Sequence, residues 1–251
     1  MKPQRFLAAA GIGSRRMCER LILEQRVTVN GQTMTFNMDV QSDADVRVDG
    51  KPVHASDESI YLALHKPAGY ISDRGIPHEK SALDLVSVPQ RLFAVGRLDK
   101  DATGLLLLTN DGEMAFHVTH PRYEHEKEYR VLVSGRPSED TLDQWRAGII
   151  LHGEKTAPAK VWLESNARTT TQETWVRVIL HEGRKRQVKR VARQLGHPVK
   201  QLIRVRIGAI QLGDLKPGEW RRLSAGEVDG LKATPPTQQP AMYFSDETPA
   251  Q

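Results

Sequence analysis

The chain has 251 residues, 39% of them hydrophobic and 27% charged, with a net charge of +5 and a single cysteine. That composition reads as an ordinary soluble chain of one or two domains and excludes an internal disulfide framework or a cysteine-rich metal cluster. No apolar run approaches the roughly 20 residues of a membrane helix, and Met-Lys-Pro-Gln-Arg-Phe lacks the apolar core of a signal peptide, so the expectation is a cytoplasmic protein.

The charge is unevenly spread. Residues 1–31 carry six basic side chains (Lys2, Arg5, Arg15, Arg16, Arg20, Arg26) and two acids (Glu19, Glu24), a net of +4. Residues 184–206 carry nine basic residues and no acid, so with +5 overall the other 197 residues hold −8. A single such patch is often only a solvated face, but two on a mildly acidic body point to a polyanion, with nucleic acid the natural partner.

Gln4–Ala10 reads as a short helix ended by Gly11 and Gly13. Ser14 is suited to cap a second helix, Arg15–Gln25, whose Leu21, Ile22 and Gln25 alternate with Arg15, Arg16, Glu19 and Arg20. Arg26-Val-Thr-Val-Asn30-Gly31 alternates like a strand and ends in an Asn-Gly turn, a pattern repeated over Val46–Val53. About 50 residues is marginal for an independent core, so residues 1–55 read as a tethered accessory module. His54–Ser59 is polar and reads as a linker.

Ile60–Leu64 reads as a core strand running into the turn His65-Lys-Pro-Ala-Gly69, where Lys66 is either a surface lysine or part of a phosphate-binding groove. Ser81–Val86 fits a short helix. The chain then centres on Val95-Gly-Arg-Leu-Asp99-Lys-Asp101-Ala-Thr-Gly104-Leu-Leu-Leu-Leu108-Thr-Asn-Asp-Gly112. Two apolar runs joined by a polar loop predict two core strands, with Thr103-Gly104 allowing a tight return. An Asp in that loop is a candidate catalytic carboxylate on a rigid scaffold, or a turn cap.

Gly112–Thr119 fits a helix, Glu126–Val133 a strand carrying Tyr129, and Ser138–Ala147 an amphipathic helix with Leu142 and Trp145 inward. Tyr129 is either half of a cross-strand aromatic pair or a ring on which a base stacks. Lys160–Leu163 and Trp175–Leu180 read as strands, Arg184–Leu195 as a basic helix ended by Gly196, and Val199–Ile210 as a strand with Arg204 and Arg206 on one face. Residues past about Lys232 have little to bury and are expected to be disordered. With no Gly-rich phosphate loop, the fold class expected is α+β, with a mixed, mainly antiparallel sheet. Asp99, Asp101 and Asp111 form the only local carboxylate cluster, and no nucleophile-elbow pattern occurs.

Residues 5–31, through Arg5-Phe-Leu-Ala-Ala-Ala-Gly11, Ser14-Arg-Arg16, Glu19–Ile22 and Arg26-Val-Thr-Val-Asn-Gly31, resemble the RNA-binding module first seen in a small-subunit ribosomal protein. That resemblance implies phosphate contacts for Arg15, Arg16 and Arg20. Residues 60–228 resemble bacterial ribosomal pseudouridine synthases carrying this module, through His65-Lys-Pro-Ala-Gly69, Gly96-Arg-Leu-Asp99 with Thr103–Gly112, Lys127-Glu-Tyr129, and Glu182-Gly-Arg-Lys-Arg-Gln-Val-Lys189-Arg190.

The resemblance implies a pseudouridine synthase catalytic domain over 60–230 that needs neither cofactor nor metal and acts, as a monomer, on ribosomal RNA. It implies Asp99 as the catalytic aspartate, acting either on the sugar carbon or on a sugar proton, and Tyr129 as the ring under the flipped base. Lys189 would keep Asp99 ionised in a position where many relatives carry arginine. Arg97 would help evert the nucleotide, and Lys66, Arg184, Arg186 and Arg190 would hold RNA. Arg186 resembles large-subunit members more than the small-subunit one, so large-subunit rRNA is the expected substrate. Two rival readings are a non-catalytic ribosome-assembly factor and a metal-dependent nuclease built on Asp99, Asp101 and Asp111.

Overall fold

The computed structural model describes residues 1–41, 43–54, 58–74, 76–165 and 172–233. The expected linker falls partly, and the expected disordered tail almost wholly, outside these residues.

The first 53 residues hold helices α1 (Pro3–Ala9) and α2 (Arg15–Leu23) and strands β1 (Val27–Val29), β2 (Gln32–Thr33), β3 (Val46–Val48) and β4 (Lys51–Val53), in the sheet order β2-β1-β3-β4. Ser14 caps α2 as expected, its hydroxyl accepting from the Met17 amide at 3.2 Å. The helix stops at Leu23, and Gln25, expected on the buried face, is instead exposed with φ 56°. Asn30-Gly31 and Asp49-Gly50 all have positive φ, the backbone that tight hairpin turns require. Phe6, Leu7, Cys18, Leu21, Ile22, Val27 and Met34 close a small core of their own.

The rest of the chain supplies β5 (Tyr61–Lys66), β6 (Phe93–Val95), β7 (Thr103–Thr109), α3 (Gly112–Thr119), β8 (Lys127–Ser134), α4 (Glu139–Ala147), β9 (Ile150–Leu151), β10 (Glu154–Lys155), β11 (Lys160–Leu163) and β12 (Glu173–Leu180). It ends with α5 (Gln187–Gln194), β13 (Val199–Ile207), β14 (Ile210–Gln211), β15 (Trp220–Arg222) and α6 (Ala225–Lys232). Nine of these strands form one sheet, β11-β12-β8-β13-β7-β5-β15, with β6 alongside β7 and β14 alongside β13. Every pairing in it is antiparallel except β13 with β7, so the α+β class holds with a mixed sheet.

The four-leucine run is apolar without alternation because both faces of β7 are covered. Leu106 and Leu108 face a core shared with Leu142 and Trp145 of α4 and with Val188, Val191 and Ala192 of α5. Leu105 and Leu107 face Met114 and Val118 of α3 and Val228 and Leu231 of α6. Among the described residues no helix is long and apolar enough to cross a membrane.

Two local expectations fail. Residues 184–186 are not helical: α5 starts at Gln187, after Arg186 in a left-handed conformation (φ 55°). Arg204 and Arg206 do not share a face, because β13 slips one residue against β8 between them, setting Arg204 opposite Tyr129 and Arg206 opposite Glu128. A bulge of this kind reverses the alternation that the sequence pattern assumes.

Candidate active site

The loop between β6 and β7 is fixed through its backbone. The Ser72 hydroxyl, buried, donates to Leu98 O at 2.8 Å and accepts from Leu98 N at 2.7 Å. The Lys100 carbonyl accepts from Gly69 N at 2.8 Å and from Lys66 Nζ at 3.3 Å. Arg204 Nη1 reaches Arg97 O at 3.4 Å, and Ala102 N donates to Asp99 O at 3.1 Å. Asp99 therefore sits between two clamped neighbours, as a preorganised reacting group should.

Lys66 does not line a phosphate groove. It is 0% exposed, and its ammonium donates to the carbonyls of Pro67, Tyr70 and Lys100. Burial pushes this ammonium down to about 8, against the pull of Asp101 and Asp99. It acts as a knot between the β5 turn and the aspartate loop.

The carboxylates project toward the start of α5. Asp99 Oδ2 lies 3.7 Å from Lys189 Nζ and 3.7 Å from Arg186 Nη1. Asp101 is the nearer partner of Lys189, at 2.5 Å, so the expected exclusive Lys189–Asp99 pair is instead a bridge spanning both aspartates. The two differ in setting: the Asp99 side chain is 23% exposed and that of Asp101 63%. Burial raises the Asp101 carboxyl, but the hydrogen bond and charge of Lys189 outweigh it and leave the group below the usual carboxylate range. Asp111 lies elsewhere, beyond the far end of β7, where it caps α3 through the amides of Glu113 and Met114 and accepts from Tyr61. Seven strand residues span about 20 Å, so Asp99, Asp101 and Asp111 do not gather into one metal-binding set.

Tyr129 joins the core cluster that holds Leu98 and Ala102, the apolar residues flanking the aspartate loop. Opposite it on β13, Arg204 is buried, with Nε on Leu105 O at 2.8 Å and Nη2 without a hydrogen-bond partner among the described residues. Gly104 is required here: with φ 106°, a Cβ would lie 2.2 Å from Arg204 O. The glycine serves a close strand approach rather than the expected tight turn. Lys127 tucks its ammonium onto His125 O, and burial with the charge of Arg204 pushes it down to about 8.

Arg186, Lys189, Arg193 and Lys200 line an open cleft beside Asp101. Arg97 is exposed at the loop's entrance, and Arg190 is half-buried on α5. Arg184 is engaged by Glu182, Glu154 and the Lys155 carbonyl, turned to the β9–β10 hairpin rather than displayed for phosphate. Arg15, Arg16 and Arg20 are exposed on α2, and the module touches the larger unit through Arg5–Glu113 at 2.7 Å and Arg91 Nη1 on Gly13 O at 3.1 Å. Ser72 and Arg204, which secure the loop, were not visible as site residues in the sequence, where nothing distinguishes a serine or arginine that turns inward.

Comparison with known proteins gives a consistent picture. Residues 60–194 match the family model for RNA pseudouridylate synthase, and residues 4–46 match that for the S4 domain. The ribosomal large subunit pseudouridine synthase B of Bacillus subtilis (strain 168) is 40% identical over 92% of this chain and 95% of its own. The ribosomal small subunit pseudouridine synthase A of Escherichia coli (strain K12) is 37% identical over 91% and 98%. A crystal structure of a pseudouridylate synthase superposes with a TM-score of 0.65 at 29% identity, covering 92% of this chain and 99% of that one.

Proposed function

This chain belongs to the RNA pseudouridylate synthase family and is an RNA pseudouridine synthase, and we propose that it modifies ribosomal RNA of the large subunit with Asp99 as its catalytic carboxylate. The observation that carries the assignment is the loop of residues 97–102. It holds Asp99 by main-chain hydrogen bonds on both sides and aims it at Lys189 and Arg186, 3.7 Å away.

The reaction is an isomerisation, so no atoms enter or leave overall. The N1–C1′ bond of uridine breaks, C5 bonds to C1′, and the proton lost from C5 is balanced by one gained at N1. No redox partner or group donor is required. Asp99 acts at the sugar while Tyr129, against the loop, supports the everted base. The cations at the head of α5 lie 3.7 Å from Asp99 and attract the RNA backbone. Arg97 at the entrance fills the space left by the flipped nucleotide, whose unstacking costs a few kcal/mol.

Residues 1–55 serve as the RNA-positioning module through Arg15, Arg16 and Arg20, and the domain over 60–230 carries the chemistry. Arg186 and the slightly higher identity to the large-subunit enzyme support the choice of large-subunit rRNA.

Asp99→Asn should abolish pseudouridine formation with RNA affinity nearly unchanged. Asp101→Asn should retain activity, because Lys189 is then free to close on Asp99. Equal loss in both variants would overturn the assignment. Pseudouridine mapping of both rRNAs from a deletion strain tests the substrate, and a site missing from the small subunit alone would refute the large-subunit choice.

A further inference from the structure

Helix α3 is tied at both ends. At its first turn Glu113 takes Arg5 of the N-terminal module at 2.7 Å. At its last turn Thr119 packs beside the catalytic loop, where a Cβ on Gly96 would meet its Cγ2 at 3.6 Å. Between these ties, on its open face, stands Phe116, 48% exposed. The His120 ring lies 4.7 Å from it and the Tyr123 ring 6.3 Å away, edge-on. The Arg122 guanidinium sits 5.3 Å over the Phe116 ring and 4.5 Å over that of Tyr123. Six residues beyond Tyr123 the chain reaches Tyr129.

A single exposed phenylalanine is ordinary. Here, however, two aromatic rings flank an exposed guanidinium and a third, His120, packs against both, on a helix that touches the basic module at one end and the segment before Asp99 at the other. The isomerisation chemistry does not use them, and Phe116 lies outside both core clusters that cover the sheet. Aromatic faces interleaved with arginine are how unpaired bases are held, since every base has a π-face and every nucleotide a phosphate. Everting a uridine also strips its neighbours of a stacking partner.

We propose that Phe116, His120 and Arg122 form a stacking platform for an unpaired base flanking the target uridine. The ring of Phe116 takes the base, and Arg122 holds the Phe116 ring while facing the adjoining phosphate. This rests on the reading of ribosomal RNA as substrate. The platform places a nucleotide contact on the helix whose ends meet the module and the segment before Asp99, and it would contribute to the choice of uridine.

The test uses the full chain and rRNA-derived hairpins carrying 2-aminopurine at successive positions around the target. Base stacking per nucleotide implies that Phe116→Ala should weaken hairpin binding about 5- to 150-fold. It should also abolish the change in 2-aminopurine fluorescence at one flanking position. Phe116→Trp should preserve both signals, and Phe116→Leu, which keeps bulk without a π-face, should behave like Phe116→Ala. Arg122→Gln should weaken binding with a shallower salt dependence. A Kd for Phe116→Ala within twofold of wild type, on a hairpin that the wild type converts, overturns the platform alone. Retention of wild-type affinity by Phe116→Leu overturns it too, in favour of an apolar protein-docking surface. A wild type that converts none of the hairpins overturns the ribosomal reading and the platform with it.

Discussion

Replacing Gly104 by alanine probes the joint on which the loop of Asp99 depends. The new Cβ would lie 2.2 Å from Arg204 O and 2.6 Å from Arg204 N, on a backbone with φ 106°. Ordinary contact begins near 3.4 Å, so β13 would have to retreat by about 1.2 Å. The parallel pairing it would strain is short, registering only Thr103 with Ile203 and Gly104 with Arg204. Strained backbone and overpacking each cost about 1–3 kcal/mol, so a loss of about 2–6 kcal/mol is expected. For a chain of this size that lowers Tm by about 4–24 °C. Arg204 would drag on its bonds to Leu105 O and Arg97 O, and a displacement of that order at a catalytic group can cost about 100-fold in rate. Thermal melts and single-turnover kinetics read both effects. Gly112→Ala is the control: it begins α3 in open space and should change Tm little or raise it. A Gly104→Ala variant melting within about 2 °C of wild type and reacting at the wild-type rate would refute the reasoning.

Other outcomes follow from the same geometry. Burial, with the charges of His117 and Lys127, pushes His125 down to about 4, so it stays neutral in the fold while the unfolded chain protonates near 6.5. The stability this provides is intact above about 6.5 and is lost as pH falls toward 4, to a limit of about 3 kcal/mol. Urea midpoints at pH 7 and pH 5 should therefore differ less in His125→Leu than in wild type, and an equal difference would contradict the assignment. Lys66→Met should cost about 3 kcal/mol in urea unfolding, because three loop carbonyls lose a buried donor. Changing Arg15, Arg16 and Arg20 together to Gln should reduce the slope of log Kd against log salt by about 2–3, and an unchanged slope would remove α2 from the RNA surface. Activity should persist in a chelator, and its loss there would revive a metal-dependent reading.

Local chemistry was the legible part of the sequence. Ser14 and the Asn30-Gly31 and Asp49-Gly50 turns each mark a boundary within a few residues, so α2 and the small hairpins lie close to where their signals put them; α3 spans the Gly112–Thr119 read from the sequence, while its cap at Asp111 went unread. The polar loop between two apolar runs stood out, but only the family resemblance singled out Asp99 over Asp101 within it. What stayed hidden depends on contacts distant in sequence. Lys66 follows an apolar strand and looks like the first exposed residue beyond it, yet three carbonyls from two separate turns converge on it. Arg184–Arg186 carries strong helix formers, but the Gln187 side chain bonds the Arg184 amide and the Glu182 carboxylate, which sets a turn there instead. The bulge beside Arg206 leaves no mark in composition. The second partner of Lys189 became visible only when residues 88 apart in sequence were brought together.

The parallel joint between β7 and β13 also bears on how the protein is made. Thr103 and Ile203 are neighbours in space but 100 residues apart in the chain. Synthesis proceeds from the N-terminus at about 5–20 residues per second. The module of residues 1–53 is therefore complete many seconds before β13 leaves the ribosome. Until then β7 lacks one neighbour, Asp99 lacks the cations of α5, and Arg204 cannot brace the loop. The growing chain gains helix α2, proposed to hold RNA, early, and the surroundings of Asp99 among the last things formed. Non-local pairing of this kind is also slow to close. A nascent enzyme held at a stalled ribosome should therefore acquire RNA affinity well before it acquires turnover.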